Sequence, residues 1–468
     1  MVVAQIGPVP FFLTPWTVGF GKRMDFHWLI AYLILLGLAV AQSALLVLQT
    51  WEHRRYARSC MRSRERHRPT GRAAVFAPCK GPDVELGENL RALLRQDYHD
   101  YEVTFIVENA DDPAVEVIHR VMADHPRVAV RLVIAGQATD CGQKVHNLRA
   151  GTAGLSPQVE YLAFLDSDAR PRPEWLRLLL ARLCEPKTGA VTGYRWFVPV
   201  RHSLANHLLY SMNCDIMSLL GRSSHYLVWG GSWGIRRGVF ESIGLPSAWA
   251  GTLSDDLVAA RQLRRARLCV RFEPGGVVAS PLDCSLREVF SFIRRQYLMA
   301  RFYVPDWWAF ALVASTVTSL AWLGSLAVLG WSLVYGTPPA WIPACGAGVL
   351  YLLSAYRGLL RQDLVGTYFP DGDEELRRAG RFDVWASPLA RLVHWLGMLS
   401  SLLGRQITWR GISYRVFFGG QTRVAGRDGR LARGPADGCN AAPPAQDEGH
   451  YQGPETGTKK LVSYRKAC

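Results

Sequence analysis

No pair among the ten cysteines has Cys-x-x-Cys spacing, and no cysteine–histidine group has the spacing of a zinc site. That argues against a zinc ribbon or a dithiol redox motif and leaves plain reduced thiols. Charge is absent from residues 28–51 and again from residues 307–356. Uncharged apolar stretches of that length exclude a purely water-soluble surface there, because about 20 such residues suffice to cross a bilayer. Acidic residues are in the minority: Asp and Glu total 39 against 54 Lys and Arg, a formal net charge of +15. An excess of that sign favours nucleic acid, an anionic membrane surface or phosphate-bearing ligands.

The position of the basic residues separates these partners. Eight arginines (54, 55, 58, 62, 64, 66, 68 and 72) follow directly on the first apolar run. A cluster there marks the cytoplasmic end of a span, so no nucleic-acid partner is expected. The run continues past Ala39 and Ala41, which mimic a signal-peptidase site, to Leu48, as an anchor does. Residues 1–51 are therefore read as an extracytoplasmic segment and a transmembrane helix, and 52–72 as a basic juxtamembrane linker. The second run, 307–356, is broken by Gly336-Thr337-Pro338-Pro339 and reads as a transmembrane hairpin. Residues 357–385 would be a cytoplasmic loop. Residues 386–419 contain Arg391 and His394 and read as interfacial or spanning, with the interfacial reading favoured by the basic stretch at 405–415. Residues 420–468, rich in Gly, Pro, Ala and charge, read as a disordered tail.

Between the apolar blocks, residues 73–285 alternate strand and helix patterns. Strands are expected at 73–77, 102–107, 128–134 and 161–165, with helices near 88–94, 113–123, 145–155 and 173–183. This alternation predicts an α/β domain with a doubly wound, mostly parallel sheet. Ligands in such sheets bind at the carboxyl ends of the strands.

The residues after each strand carry the candidate chemistry. Asp166 and Asp168 follow the fourth strand, and two carboxylates at that place can share a divalent cation, Mn or Mg, with a diphosphate. Glu108 follows the second strand and can bind a base or ribose, whereas nearby Asp112 is read as a helix cap. Lys144 opens a helix, where cation and free N–H groups both suit a phosphate; Lys80, after the first strand, is a similar case. Asp255 and Asp256 begin another helix, and either can serve as general base while the other caps. Arg294, Arg295 and Gln296 lie in the 286–306 segment, expected along the membrane face, where their cations can close a diphosphate site.

In this order the motifs resemble the ceramide glucosyltransferase family (glycosyltransferase family 21, kin of the large inverting family 2), in its plant-like and bacterial branch. The matching pieces are APCKG at 77–81, VENADDPA at 107–114, GQKVHNL at 142–148, LDSDARPRP at 165–173 and TGYRW at 192–196. WGGSWGIRR at 229–237, SDDL at 254–257, RRQY at 294–297 and the ITWRGISYR string at 407–415 complete them. The resemblance covers about residues 73–418. It implies a nucleotide-sugar-binding domain of the GT-A type inserted between transmembrane helices, in a multi-pass membrane protein with the catalytic domain cytoplasmic. It also implies a divalent metal on Asp166 and Asp168, a diphosphate-binding Lys144, a catalytic base at Asp256, and substrate contacts from Trp229, Gly230 and Gly231. The chain departs from the family twice: no Asp stands at Glu108–Asn109, and the Gln-x-x-Arg-Trp string is missing.

The implied reaction is transfer of a hexose, glucose by family expectation, from a UDP-sugar to a lipid hydroxyl with inversion. A ceramide-like acceptor is favoured over a hopanoid, a diacylglycerol or a polyprenyl phosphate. A processive polysaccharide synthase and a non-catalytic membrane scaffold are the rival readings.

Overall fold

The computed structural model describes residues 26–62, 69–223, 227–370 and 372–427. In chain order these form α1 (Phe26–Arg62), β1 (Arg72–Pro78), α2 (Leu86–Leu93), β2 (Tyr101–Val107), α3 (Ala114–Asp124), β3 (Ala129–Ile134), α4 (Gln143–Thr152) and β4 (Val159–Leu165). There follow α5 (Trp175–Ala181), β5 (Thr188–Pro199), α6 (Leu204–Met217), β6 (Ser232–Arg236), α7 (Arg237–Ser242), α8 (Leu245–Ala248), α9 (Asp255–Arg265) and β7 (Cys269–Leu282). The remainder is α10 (Leu286–Tyr303), α11 (Pro305–Tyr335), α12 (Trp341–Tyr368), α13 (Glu374–Trp385), α14 (Ser387–Ser400), β8 (Gln406–Trp409), β9 (Ile412–Val416) and β10 (Thr422–Arg427).

Seven strands form one mixed sheet in the order β3-β2-β1-β4-β6-β5-β7. The first four are parallel, as the alternation predicts, and β6 runs antiparallel to both β4 and β5. β1 shows why the sheet is covered on both sides. Ala73, Val75 and Ala77 pack with α2, α3 and α5, while Ala74 and Phe76 pack with α4 and α9, and all are buried. A central strand covered on both faces has no polar side to show, hence its near-continuous apolar sequence. Phe164 of β4 stacks on Trp233 of β6 with centroids 4.3 Å apart, locking the parallel half to the antiparallel strand.

Outside the sheet, α1, α11 and α12 pack together around Ala39, Ala321 and Leu350, one buried residue from each. Gly346 of α12 lies against Leu36 and Tyr32 of α1, and the Tyr32 hydroxyl hydrogen-bonds Ser325 at 3.0 Å. Large side chains such as Ile34, Leu45, Phe310, Leu333 and Leu352 face outward. Small residues such as Ala39, Ser43, Ala321, Ser325 and Gly346 predominate inside and let the helices approach closely. Two of these helices, α1 and α11, are long and apolar enough to cross a membrane. α14 has 14 residues, about 21 Å, against a hydrocarbon layer of about 30 Å.

Three segment expectations are corrected. The basic stretch after residue 51 is not a separate linker at its start: α1 runs on to Arg62, and Arg54 and Arg58 pair with Asp363 of α12. The 357–385 stretch is helical, in α12 and α13, because buried ion pairs hold it. Arg361 donates to both oxygens of Asp383 (2.8 and 2.9 Å), and Arg357 and Arg361 both reach Asp215 of α6. The tail does not begin at residue 420, since β10 adds to β9; its remainder, from 428, lies outside the described residues.

Candidate active site

The carboxyl ends of β1 and β4, the start of α4, the turn before β6, the start of α9, one face of α10 and the β8–β9 hairpin surround a cavity of about 410 Å³. Of the candidate residues, Lys80, Lys144, Asp166, Asp168, Trp229, Gly230, Gly231, Asp255, Asp256, Arg295 and Gln296 line it.

Lys144 is at its centre. Its ammonium lies 2.7 Å from Asp166 and 3.3 Å from Asp255, and donates to the Gly230 carbonyl at 3.2 Å. Burial works against its charge, but Asp166, Asp255 and Asp256 outweigh that and hold it protonated. Burial likewise opposes ionisation of Asp166, yet Lys144 and Arg195 keep its carboxyl below the usual range. Asp168 goes the other way: burial raises it, with Asp166 and Asp83 adding like charge against the pull of Arg195. Its Oδ2 lies 3.2 Å from Arg195, and its buried Oδ1 has no hydrogen-bond partner among the described residues. Two carboxylates at one strand end, one with an unpartnered oxygen, fit a hard divalent cation that completes its shell with phosphate oxygens and water. No group of three or more ligating side chains occurs among the described residues.

The adjacent acids of α9 differ sharply. Asp256 accepts from the Gly230 N–H at 2.9 Å, the Leu257 N–H at 2.7 Å and the Ser254 hydroxyl. Asp255 leaves a buried Oδ2 without a partner among the described residues, and burial pushes its carboxyl up to about 7 despite Lys144. Side chains at Gly230 and Gly231 would crowd the site. A Cβ on Gly230 would stand 2.9 Å from Asp255 Oδ2, and one on Gly231 would stand 2.3 Å from the Trp229 ring and 2.7 Å from Asp166 Oδ2.

Two candidates lie elsewhere. Arg294 turns from the cavity to the carbonyls of Ser400 and Leu403, tying α10 to the end of α14. Glu108 is buried outside the lining, its carboxylate held between Lys80 and Arg427. Both its oxygens are engaged by cations, which disagrees with a free ribose or base ligand. Asp112 accepts from the Ala114 N–H at 2.9 Å, as a capping residue does, and also from the Gly81 N–H at 2.8 Å.

Four residues given no role from the sequence complete the walls: Arg195, Trp409, Arg410 and Tyr414. Arg410 pairs with Asp83 at 2.5 Å, and the Tyr414 hydroxyl accepts from the Gln143 N–H at 3.2 Å. Arg295 lies over the Trp409 ring at 5.3 Å with its Nε unpartnered among the described residues. Burial together with Arg195 and Arg410 pushes its guanidinium down to about 10. The signal for three of the four was the ITWRGISYR string, but nothing local says that a segment some 330 residues from Lys80 folds back onto it.

Acids beside cations line one cavity at the carboxyl edge of an α/β sheet. The chain belongs to glycosyl transferase family 21, whose sequence profile matches residues 33–422, and it is a glycosyltransferase. It is similar to ceramide glucosyltransferase 3 of Caenorhabditis elegans, 32% identical over 75 residues, and to ceramide glucosyltransferase 1 of the same organism, 28% identical over 75 residues. Each match spans 16% of this chain and 16% of the relative's length. Among solved structures it is similar to a mannosyltransferase from Pyrobaculum calidifontis in complex with GDP-Man and Mn2+, with 18% identity and a TM-score of 0.44 over 75% of this chain and 99% of that one. A second is GalNAc-T7 with UDP, GalNAc and Mn2+, with 11% identity and a TM-score of 0.34 over 47% of each chain.

Proposed function

We propose that this protein is an inverting membrane hexosyltransferase that moves a hexose from a UDP-sugar to a lipid hydroxyl, with a ceramide-like acceptor favoured. The observation that carries the reading is the mixed lining of the cavity. Asp166, Asp168, Lys144, Arg295 and Arg410 share it with Phe197, Leu209, Leu282 and Phe292. A diphosphate suits the charged groups and an apolar acceptor the apolar ones. In this reading the helices α1, α11 and α12 span the bilayer and the catalytic domain lies in the cytoplasm.

The chemistry follows from the residues. Lys144, Arg295 and Arg410 hold the diphosphate of the donor, and Trp229, Gly230 and Gly231 form the floor under the sugar. A divalent cation bound at Asp166 and Asp168 would neutralise charge building on the leaving diphosphate. Asp256 accepts the proton of the lipid hydroxyl as its oxygen bonds to the anomeric carbon. The bond from that carbon to the diphosphate oxygen breaks on the opposite face, and UDP leaves. One displacement turns an α-linked donor into a β-linked product, so one base suffices, unlike the two carboxyl groups of a retaining hydrolase. Asp255 is a second reading for the base, favoured by its unpartnered oxygen and its carboxyl near 7, which suits proton transfer at neutral pH.

The test is to incubate the detergent-solubilised protein with UDP-glucose, Mn2+ and a mixture of ceramide, diacylglycerol, hopanoid polyol and polyprenyl phosphate, then weigh the lipids by mass spectrometry. A hexosyl-lipid is expected, and its mass names the acceptor. No product with any UDP-sugar, together with no UDP binding, would move the weight to a non-catalytic scaffold.

A further inference from the structure

A cation of the protein's own already lies across the carboxylate pair. Arg195, on β5, reaches Asp168 at 3.2 Å and Asp166 at 3.8 Å. Among the described residues its ion pairs are with these two acids. Aromatic faces hold the guanidinium otherwise: Trp229 at 4.9 Å and Phe197 at 5.1 Å. Two carboxylates so close repel each other unless a cation stands beside them, and Arg195 with Lys144 supplies it.

We infer that Arg195 is the resident counter-cation of the Asp166–Asp168 pair, and that a divalent cation binds weakly until Arg195 moves from the pair to the diphosphate of the donor. The inference rests on the proposed reading of the cavity as a nucleotide-sugar site. Its physics is competition for one pair of anions. A dication and a guanidinium on the same carboxylates repel, so the metal bound alone works against Arg195. A diphosphate offers the guanidinium fork an equally good partner. Trp229 and Phe197 hold the side chain by ring contacts, which do not fix its hydrogen bonds on one acceptor. Metal and nucleotide therefore bind cooperatively through Arg195, and the coupling is reciprocal.

The experiment is calorimetric titration of Mn2+ into the full-length protein in detergent, with and without UDP, for wild type, Arg195→Gln and Arg195→Lys. Arg195→Gln is expected to bind Mn2+ alone about tenfold tighter than wild type and to lose most of the tightening that UDP confers. Arg195→Lys, which keeps the charge and loses the fork, falls between them. Thermal melts report whether each variant is folded, and Arg195→Lys carries the test if Arg195→Gln is not. Mn2+ affinity no higher in either variant than in wild type, or UDP tightening left intact, overturns the inference. So does absence of Mn2+ binding in every form; UDP binding in the same titration then shows whether the nucleotide-site reading survives on its own.

Discussion

Arg427, on β10, donates to Glu108 at the end of β2, 319 residues earlier in the chain. The same guanidinium also donates to the Ala138 carbonyl at 2.8 Å and to Gln143 at 3.0 Å. With Arg410 on Asp83, the Tyr414 hydroxyl at the Gln143 N–H and the Thr422 N–H on the Gly251 carbonyl, it clamps the three-stranded sheet onto the cavity. Arg427→Ala should lower stability by roughly 1–3 kcal/mol, the usual worth of hydrogen bonds to a buried carboxylate. Because the sheet carries Trp409, Arg410 and Tyr414, KM for the donor should rise more than kcat falls. A kcat loss at unchanged KM would show that the clamp does not shape the donor site.

Asp255 gives a pH signature. Its carboxyl is held at about 7 in the folded chain, against about 3.9 when unfolded. Below pH ~4 it is protonated in both states and its contribution is fully present. As pH rises the unfolded chain ionises first, so stability is lost up to about pH 7 and then levels. Asp255→Asn should remove that decline, read as the difference between wild-type and variant melting temperatures at pH 5, 6, 7 and 8. A difference that does not change with pH would contradict the burial of an unpaired oxygen.

Gly231 has no space for a side chain. Gly231→Ala would put a methyl group 2.3 Å from the Trp229 ring and 2.7 Å from Asp166. The cost should be about 1–3 kcal/mol of stability, with a larger loss of donor affinity as Asp166 is displaced. Calorimetric UDP binding reads the second effect, and wild-type affinity in the variant would show that the turn yields.

Arg361 and Asp383 are both buried and doubly hydrogen-bonded. Removing one partner strands the other charge, so Arg361→Met should cost about 3–5 kcal/mol, seen as a lower melting temperature in detergent. Replacing both residues by apolar ones should recover much of it. A single variant as stable as wild type would mean that water reaches the pair.

The parallel half of the sheet and the strand-end acids were legible because both are local. β-rich apolar runs alternate with helices, and Asp166, Asp168 and Lys144 follow their strands directly. The antiparallel β6 was not legible, since a five-residue strand after a long irregular stretch has no period to read. Glu108 misled for an electrostatic reason: sequence shows an acid at a strand end, but not the two cations that occupy it. The 357–385 stretch read as a loop because the acidic partners of Arg357 and Arg361 are not adjacent in sequence: Asp215 of α6 lies 142 and 146 residues away, and Asp383 of α13 lies 22 residues from Arg361. Arg410 was visible as part of a motif, and only folding brings it to Asp83.

The most direct measurement is transfer of radiolabelled glucose from UDP-glucose into lipid by wild type and Asp256→Asn, with UDP binding measured on both. The account predicts a β-linked glucosyl-lipid from wild type, and from the variant normal UDP binding with transfer reduced by about 10²–10⁴-fold. Equal transfer by both proteins, or an α-linked product, would contradict it.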